Sequence, residues 1–428
     1  MAQSRYRRPS VRIARGVAAD VETIALTPSS PADLMTGSPP FGRDRLVTLD
    51  NWQLAPGNRW GFQHARELVP SARIKRGDGP VWELPRDGHD VLGVPIQFEG
   101  TRFTVGQLLD ETQTDGFFVL HRGRVAAEHY FNGMEPDSPH VLMSVSKSIT
   151  AAVVGCLVGK GFLDVDIPIT DLVPELKATS FAGATSRHLL DMRAGIHFDE
   201  DYDNLQADVR LYEQIYLWRS RVSPDLPSDA TTYFATLRRD GEHGGPFRYN
   251  SILTDVLAWV LERAGGARFH ELVSRELWSP MGAEFDAEVT LDAHGNAMAD
   301  GGLSTTLRDL GRFGLQYLAN DASGRPQIVP AAWVGDTVRG AADGREAFVA
   351  LGDQQGFPPG AHYRSCWWIR DSDAPYLHGS GIYGQNLFVH GPTETVVVKL
   401  SSWPNPLDRR ALDATAAAVV AIGEYLEG

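Results

Sequence analysis

Hydrophobic and polar residues follow helical or strand periodicity in several stretches of the chain, separated by turns that contain glycine or proline. The segment 117–130 holds two β-branched and aromatic runs joined by His121-Arg122-Gly123-Arg124, a pattern that predicts a β-hairpin. From Ser144 through Leu163 apolar residues recur at helical spacing and stop at Gly159 and Gly161, which predicts a helix that begins at or near Ser144. This helix is apolar on almost every side, so we expect it to be buried.

The rest of the chain divides into a mostly helical middle and a C-terminal group of strands. The patterns predict helices over 254–264, 305–318 and 410–426, and neighbouring antiparallel strands over 367–369, 386–389 and 395–400. Strands on both sides of a helical middle indicate an α+β fold. We therefore expect an antiparallel sheet flanked by helices, with an inserted, mostly helical region.

The same patterns suggest a domain organisation. Residues 1–45 are rich in proline, serine and arginine, which predicts an irregular N-terminal tail. We expect one α/β domain from residues 46–143 and 288–428, and a helical domain from 144–287. The active site is expected at the boundary between them.

Charge and hydropathy limit the range of partners. The 428 residues carry a formal net charge of −14, which disfavours binding to nucleic acid or to anionic lipid. No apolar run approaches the roughly 20 residues of a membrane span, and no apolar signal region follows the arginine-rich start. We expect a soluble, cytoplasmic protein with no nucleic-acid or membrane partner, and leave open whether it forms a homodimer.

Lysine is scarce in this chain. Only five of its 40 basic residues are lysines, at positions 75, 147, 160, 177 and 399. Arginine essentially never loses its proton, whereas a desolvated lysine can, so a retained lysine points weakly to a site that needs a neutral amine. The two cysteines and thirteen histidines lack the spacing of metal ligands, so we expect neither a metal nor a cofactor.

Ser144-Val145-Ser146-Lys147 places a serine and a lysine three residues apart at the predicted start of the buried helix. The two side chains share one face, and the helix N-terminus favours an alkoxide. Lys147 could accept the serine proton only as a neutral amine, so its pKa, ordinarily about 10.4, would have to fall by roughly 2 to 4 units through burial. The alternative is a serine that caps the helix and a solvated lysine.

Tyr249-Asn250-Ser251 lies at a predicted loop–helix junction. A phenol and a hydroxyl two residues apart could both reach the Ser–Lys pair, and Tyr249 could then protonate a leaving group. A half-buried tyrosine with a satisfied hydroxyl is the alternative.

The third motif runs from His378 to Gln385 and contains glycines at 379, 381 and 384. These glycines precede a strand instead of joining a strand to a helix, which argues against a dinucleotide site. They favour close backbone approach at a strand edge. An N–H there, with that of Ser144, would form an oxyanion hole.

Together the three motifs resemble those of the penicillin-recognising serine hydrolases, which include class C β-lactamases, D-alanyl-D-alanine peptidases and family VIII esterases. Among these the chain is most similar to the 6-aminohexanoate-dimer hydrolases, which cleave linear nylon oligomers, in stretches such as 142–148, 255–259 and 398–404. The similarity runs from about residue 50 to the C-terminus. It implies a β-lactamase/DD-peptidase-like fold and cofactor-free hydrolysis through an acyl-enzyme.

The resemblance also implies roles for individual residues. It makes Ser144 the acylated nucleophile, Lys147 its base and Tyr249 the proton relay. The backbone N–H groups of Ser144 and Ile382 would form the oxyanion hole, with Gly381 and Ser251 in supporting positions.

Three further positions concern the substrate. The resemblance implies that Tyr202 hydrogen-bonds the scissile amide nitrogen, and that Glu213, in place of the family's aspartate, binds the amino end of the oligomer. Tyr383 stands where the amide hydrolases carry histidine, which would reshape the acyl pocket. Gly379-Ser380-Gly381 lacks the cation with which lactamases hold a β-lactam carboxylate, because His378 lies one position too early, so we expect poor penicillin turnover.

These observations favour a serine hydrolase that cleaves small-molecule amides like 6-aminohexanoate oligomers, and short-chain esters. One alternative is a family VIII-type carboxylesterase without amidase activity. A second, from another functional class, is a non-catalytic penicillin-binding-like module.

Overall fold

The computed structural model describes residues 33–222, 224–318 and 327–428. Most of the predicted tail, residues 1–32, lies outside these ranges. Residues 33–45 contain no strand or α-helix, and Leu34 is buried against the core.

The regular elements of the described residues follow in chain order. The strands are β1 Ser71–Ile74, β2 Pro95–Phe98, β3 Thr101–Thr104, β4 Thr114–His121, β5 Arg124–Tyr130, β6 His140–Val141, β7 Ala287–Thr290, β8 Leu303–Thr305, β9 His362–Arg364, β10 Trp367–Asp371, β11 Tyr376–Gly381, β12 Gln385–His390 and β13 Thr395–Ser401. The α-helices are α1 Asn58–Gly61, α2 Ala65–Leu68, α3 Val105–Glu111, α4 Val145–Gly159, α5 Ser186–Leu190, α6 Asp208–Ile215, α7 Ala230–Phe234, α8 Ile252–Gly265, α9 Phe269–Val273, α10 Leu307–Leu315, α11 Ala331–Arg339, α12 Ala342–Gln354 and α13 Arg409–Glu427.

The main sheet is antiparallel and has the order β5-β4-β13-β12-β11-β10-β9. The predicted β4–β5 hairpin and the pairing of β12 with β13 are confirmed. The prediction that residues 367–369 lie directly beside 386–389 is wrong, because β11 separates β10 from β12. Gly379 and Gly381 lower the strand propensity of β11, which hides it from pattern recognition.

Strand β4 shows how the two layers of the core form. Successive side chains of a strand point to opposite faces. Phe117 and Val119 join a cluster that includes residues of α13, whereas Phe118 and Leu120 pack against α10 on the other face. Helices therefore cover both faces of the sheet.

A smaller antiparallel sheet, of order β1-β7-β8-β6, fixes the approach to Ser144. Leu142 N donates to Leu303 O at 2.8 Å, and Ser146 Oγ accepts from Leu303 N at 3.2 Å. These bonds connect strand β8 to Leu142, just before helix α4, and to Ser146 in the first turn of that helix. The sequence pattern did not predict this sheet, because its strands are only two to four residues long.

Helix α4 is confirmed as a buried helix that begins directly after Ser144. Within residues 144–287 the described regular elements are helical up to β7, and the predicted boundary at 287/288 falls inside that strand. The division into two domains stays a prediction.

Among the described residues no helix combines the length and the apolar character needed to cross a membrane.

Candidate active site

Ser144 lies at the junction between β6 and helix α4. The preceding Met143 has a left-handed backbone with φ of 47°, a conformation that costs energy for a residue with a side chain and that clusters at functional sites. The Ser144 side chain makes no helix-capping hydrogen bond. Its hydroxyl accepts a hydrogen bond from Lys147 Nζ at 2.7 Å instead.

Lys147 is held in place by buried oxygen atoms. Its side chain is 1% exposed, and Nζ also donates to the backbone oxygen of Asp300 at 2.8 Å. A carboxylate oxygen of Asp300 lies 3.6 Å from Nζ. The alternative in which Lys147 is a solvated charge is therefore excluded.

The expected fall in the pKa of Lys147 is wrong. Burial lowers this pKa, but the nearby acidic groups of Tyr249, Asp300, Glu200 and Asp255 together outweigh burial, so the pKa lies above its ordinary value. The site thus holds Lys147 as an ammonium at neutral pH. The serine–lysine spacing could not reveal this, because the acidic groups come from distant parts of the chain.

Asp255 and Asp300 form an acidic pair next to Lys147 that sequence reasoning missed. Asp255 accepts from the Asp300 N–H at 2.9 Å through one oxygen and from the Tyr212 hydroxyl at 2.9 Å through the other. Burial and the charge of Asp300 raise the pKa of Asp255 well above its usual range. Asp255 lies in helix α8 and Asp300 precedes a Gly-Gly turn, so neither belongs to a recognisable local motif.

Tyr249 lies beside Ser144 and Lys147. Its ring stacks on Trp368 with centroids 5.5 Å apart, and Lys147 Nζ lies 5.3 Å from its centre. Burial raises the pKa of the phenol, although Lys147 and a hydrogen bond with Ser144 act in the opposite direction. Tyr249 is therefore a neutral phenol in contact with both partners.

Ser251 and Tyr202 both hydrogen-bond one carboxylate, that of Glu200. Glu200 accepts from the Ser251 N–H at 2.7 Å, from the Ser251 hydroxyl, and from the Tyr202 hydroxyl at 2.6 Å. The Ser251 hydroxyl thus points to Glu200 and not to the Ser–Lys pair. Because Tyr202 donates its proton to Glu200, its oxygen is left to accept a hydrogen bond, as an amide N–H requires.

The end of strand β11 approaches Ser144 closely. A methyl group added at Gly381 would lie 2.6 Å from Leu142 O and 3.0 Å from Ser144 N, so only glycine fits there. The N–H groups of Ser144 and Ile382 donate to no acceptor within the part of the chain that the structure describes. They are available to an oxyanion, and Tyr383 continues the turn with φ of 62°.

His378 points away from this cleft. It hydrogen-bonds Asn386 at 2.9 Å and stacks on Phe388, and burial lowers its pKa to about 3. A neutral, buried histidine on the far face of β11 cannot bind a substrate carboxylate.

Glu213, predicted to bind an amino group, is paired with two arginines. Its oxygens accept from Arg210 Nη1 at 2.9 and 3.0 Å and from Arg219 Nε. Arg210 also interacts with the phenol of Tyr383, whose ring packs on Phe62 with centroids 5.3 Å apart. Both arginines escaped sequence reasoning, although each lies within six residues of Glu213.

Within residues 33–222, 224–318 and 327–428 no group of three or more His, Cys, Asp or Glu side chains could hold an ion.

Comparisons with known proteins identify the family of the chain. A family model described as beta-lactamase matches residues 104–422. The chain is 40% identical over 359 residues to a 6-aminohexanoate-dimer hydrolase of Paenarthrobacter ureafaciens, which covers 84% of this chain and 89% of that protein.

Solved structures show the same fold. A protein from Bacillus anthracis, provisionally named a 6-aminohexanoate-dimer hydrolase, superposes with a TM-score of 0.79 at 26% identity, covering 89% of this chain and 97% of the other. An octameric penicillin-binding protein homologue from Pyrococcus abyssi gives a TM-score of 0.55 at 17% identity over 76% of each chain. The fold is thus that of β-lactamases and penicillin-binding proteins, and the chain belongs to the beta-lactamase family.

Proposed function

We propose that this chain is a serine hydrolase that cleaves linear amide and short-chain ester bonds of small molecules through an acyl-enzyme. The observation that carries the proposal is the 2.7 Å contact between Ser144 Oγ and the buried Nζ of Lys147, with the Tyr249 phenol in contact with both. The name of the relative that is 40% identical supports an amide substrate.

Acylation requires the form of the site that has lost one proton. The neutral amine of Lys147 takes the Ser144 hydroxyl proton while Oγ attacks the substrate carbonyl, and the N–H groups of Ser144 and Ile382 stabilise the oxyanion. Tyr249 then gives its proton to the leaving nitrogen or oxygen and receives the proton held by Lys147. The C–N or C–O bond breaks, and the amine or alcohol departs with its full complement of protons.

Deacylation reverses these roles. Water in the place of the leaving group loses a proton to the Tyr249–Lys147 pair and attacks the ester carbonyl. Ser144 Oγ departs, takes back a proton, and the carboxylic acid is released. No redox partner or cofactor enters this balance.

Tyr202 provides the reason to favour amides over esters. Its phenol donates to Glu200 at 2.6 Å, so its oxygen can accept from the N–H of a scissile amide. An ester has no such N–H, and Tyr202 would give it no comparable stabilisation.

The Ser144→Ala variant tests the proposal. We expect it to abolish turnover of p-nitrophenyl esters and of 6-aminohexanoate oligomers, and covalent labelling by a fluorophosphonate. An unchanged rate in this variant would refute the assignment. Stoichiometric labelling of the wild type without steady-state product would instead identify a binding module.

The Tyr202→Phe variant separates amidase from esterase. Assayed on an amide and an ester of the same acyl group, it should lose amide turnover about 10-fold or more and retain most ester turnover, because one hydrogen bond to the amide is lost. Equal losses on both substrates would contradict the amide-specific role.

A further inference from the structure

The cluster formed by Arg210, Glu213 and Arg219 carries a net positive charge. Two guanidinium groups, which keep their protons at any working pH, face a single carboxylate. The Glu213 side chain is 4% exposed and both of its oxygens are occupied. Its negative charge is therefore already more than balanced by the two guanidinium groups.

Arg219 retains free hydrogen-bonding capacity. Its Nε is bound to Glu213, but its two Nη groups donate to no described residue. Its side chain is 18% exposed, in contrast to the buried Arg210. A planar pair of N–H donors with partial access to solvent suits a carboxylate, which it can bind through two parallel bonds.

This cluster borders the proposed substrate site on two sides. Arg210 Nη2 donates to the backbone oxygen of Tyr202 at 2.6 Å, and its guanidinium lies 5.4 Å from the centre of the Tyr202 ring. Arg210 also interacts with the phenol of Tyr383, the residue after the Ile382 N–H. Glu200 lies at the hydroxyl end of Tyr202, where Ser251 binds it, away from the Arg210 contact.

The residue before Arg219 connects the cluster to the Ser–Lys pair. Trp218 packs beside Gly301, directly after the Asp300 whose backbone oxygen binds Lys147. The indole N–H of Trp218 donates to Thr290 at 3.0 Å, which fixes the ring. The residue next to Arg219 is therefore anchored against the segment that binds Lys147.

We propose that the Arg210–Arg219 pair selects substrates whose acyl chain ends in a carboxylate and disfavours those whose acyl chain ends in an ammonium group. This inference rests on the proposed function and specifies its substrate class. The guanidinium charge that Glu213 does not balance attracts a carboxylate at the far end of the acyl chain and repels an ammonium group there.

Three p-nitrophenyl esters with six-carbon acyl chains test the proposal: the monoesters of adipic acid, of hexanoic acid and of 6-aminohexanoic acid. They share the leaving group and the chain length, so only the terminal charge differs. At low ionic strength we expect kcat/KM to be at least about 10-fold higher for the adipate ester than for the 6-aminohexanoate ester, mainly through KM, with the hexanoate ester between them.

The Arg219→Gln variant should reduce this ratio to near one, since it leaves Arg210 to neutralise Glu213. Arg221→Gln is the matched control, because Arg221 is exposed two residues later and bonds only loop carbonyls at 226 and 227. We expect that control to keep the wild-type ratio. Should Arg219→Gln not fold, the wild-type ratio measured between about 20 mM and 0.5 M salt should still shrink as the charges are screened.

The possible outcomes separate the two proposals. Hydrolysis of all three esters that depends on Ser144, with equal rates or a preference for the ammonium ester, overturns the charge selection and leaves the hydrolase assignment intact. A preference that survives Arg219→Gln in folded protein also overturns it. Absence of hydrolysis of every ester overturns both.

Discussion

The proposed reaction at Ser144 requires a form of the site that carries one proton fewer than the form present at neutral pH. The acidic groups of Tyr249, Asp300, Glu200 and Asp255 outweigh burial and raise the pKa of Lys147, so the amine is charged at pH 7 even though its side chain is 1% exposed. Tyr249 is likewise neutral because burial raises its pKa. The reactive form, with either group deprotonated, is then the minor form at pH 7.

The pH dependence of the rate follows from these directions. Because the pKa of Lys147 is raised, the neutral amine becomes about tenfold more abundant with each pH unit well below that pKa. We expect log kcat/KM for a p-nitrophenyl ester to rise with pH, with a slope approaching one, from pH 6 to 9.5. Rates should be corrected for spontaneous ester hydrolysis with the Ser144→Ala variant.

A plateau beginning near pH 7 would contradict this prediction and would mean that the pKa of Lys147 is lowered. The titration of Lys147 itself should not change the stability of the fold over this range. A group with a raised pKa in the folded state contributes stability at low pH that is lost only as pH rises through that pKa, which lies above this range.

Lys147→Arg tests the need for an amine that can lose its proton. The substitution keeps the positive charge but removes the basic lone pair, so we expect the same loss of kcat as in Lys147→Ala, about 100-fold or more. Lys160→Arg is the matched control, because Lys160 follows the same helix and its side chain is 53% exposed beside Glu276. Substantial activity in folded Lys147→Arg would rule out Lys147 as the base.

At the level of elements, strand β11 places its glycines on the face that meets helix α4. A methyl group at Gly379 would come no closer than 3.2 Å to the Ser148 hydroxyl, whereas one at Gly381 would meet backbone atoms at 2.6 and 3.0 Å. The strand must approach this closely for the Ile382 N–H to lie near that of Ser144.

Gly381→Ala should therefore displace one donor of the oxyanion hole. We expect kcat to fall about 100- to 1000-fold, as on loss of an oxyanion donor in other hydrolases, with less change in KM. Gly379→Ala on the same face of β11 should keep most activity, because a flexible hydroxyl can move aside. Similar kcat values for the two folded variants would show that the close approach at Gly381 is not needed.

At the level of the whole molecule, the site is assembled from distant segments. The smaller sheet fixes Ser144 and Asp300, the helical middle supplies Tyr202, Glu213 and Tyr249, and the main sheet supplies Ile382. The inner face of β11 offers glycines where a β-lactam carboxylate would need a cation, and His378 is buried on the other face.

We accordingly expect hydrolysis of a chromogenic cephalosporin at least about 100-fold slower, in kcat/KM, than hydrolysis of a short acyl p-nitrophenyl ester by the same preparation. The Ser144→Ala variant supplies the background rate. Comparable rates on both substrates would show that another cation of the cleft, such as Arg219, can hold the β-lactam carboxylate.

Much of the fold and part of the site could be predicted from local sequence. Helix α4, the β4–β5 hairpin and helix α13 each bury a continuous apolar pattern, so periodicity alone identifies them. The Ser-x-x-Lys spacing is equally local, because one helical turn places both side chains on one face. The position of Tyr249 at a loop–helix junction made it a candidate as well, and the resemblance to a known family added Ile382.

Only the tertiary structure determines the protonation and the ion pairs of the charged side chains in the site. The protonation of Lys147 depends on acidic groups such as Tyr249 and Asp300, the latter 153 residues away, and the charge of Glu213 is balanced because Arg210 and Arg219 reach it. Strand β11 could be identified only from its pairing with β10 and β12. Periodicity indicates which side of an element is buried. The pKa of a group and the charge of the substrate that it prefers depend instead on which groups lie within a few ångströms of it. Those distances cannot be read from the order of residues along the chain.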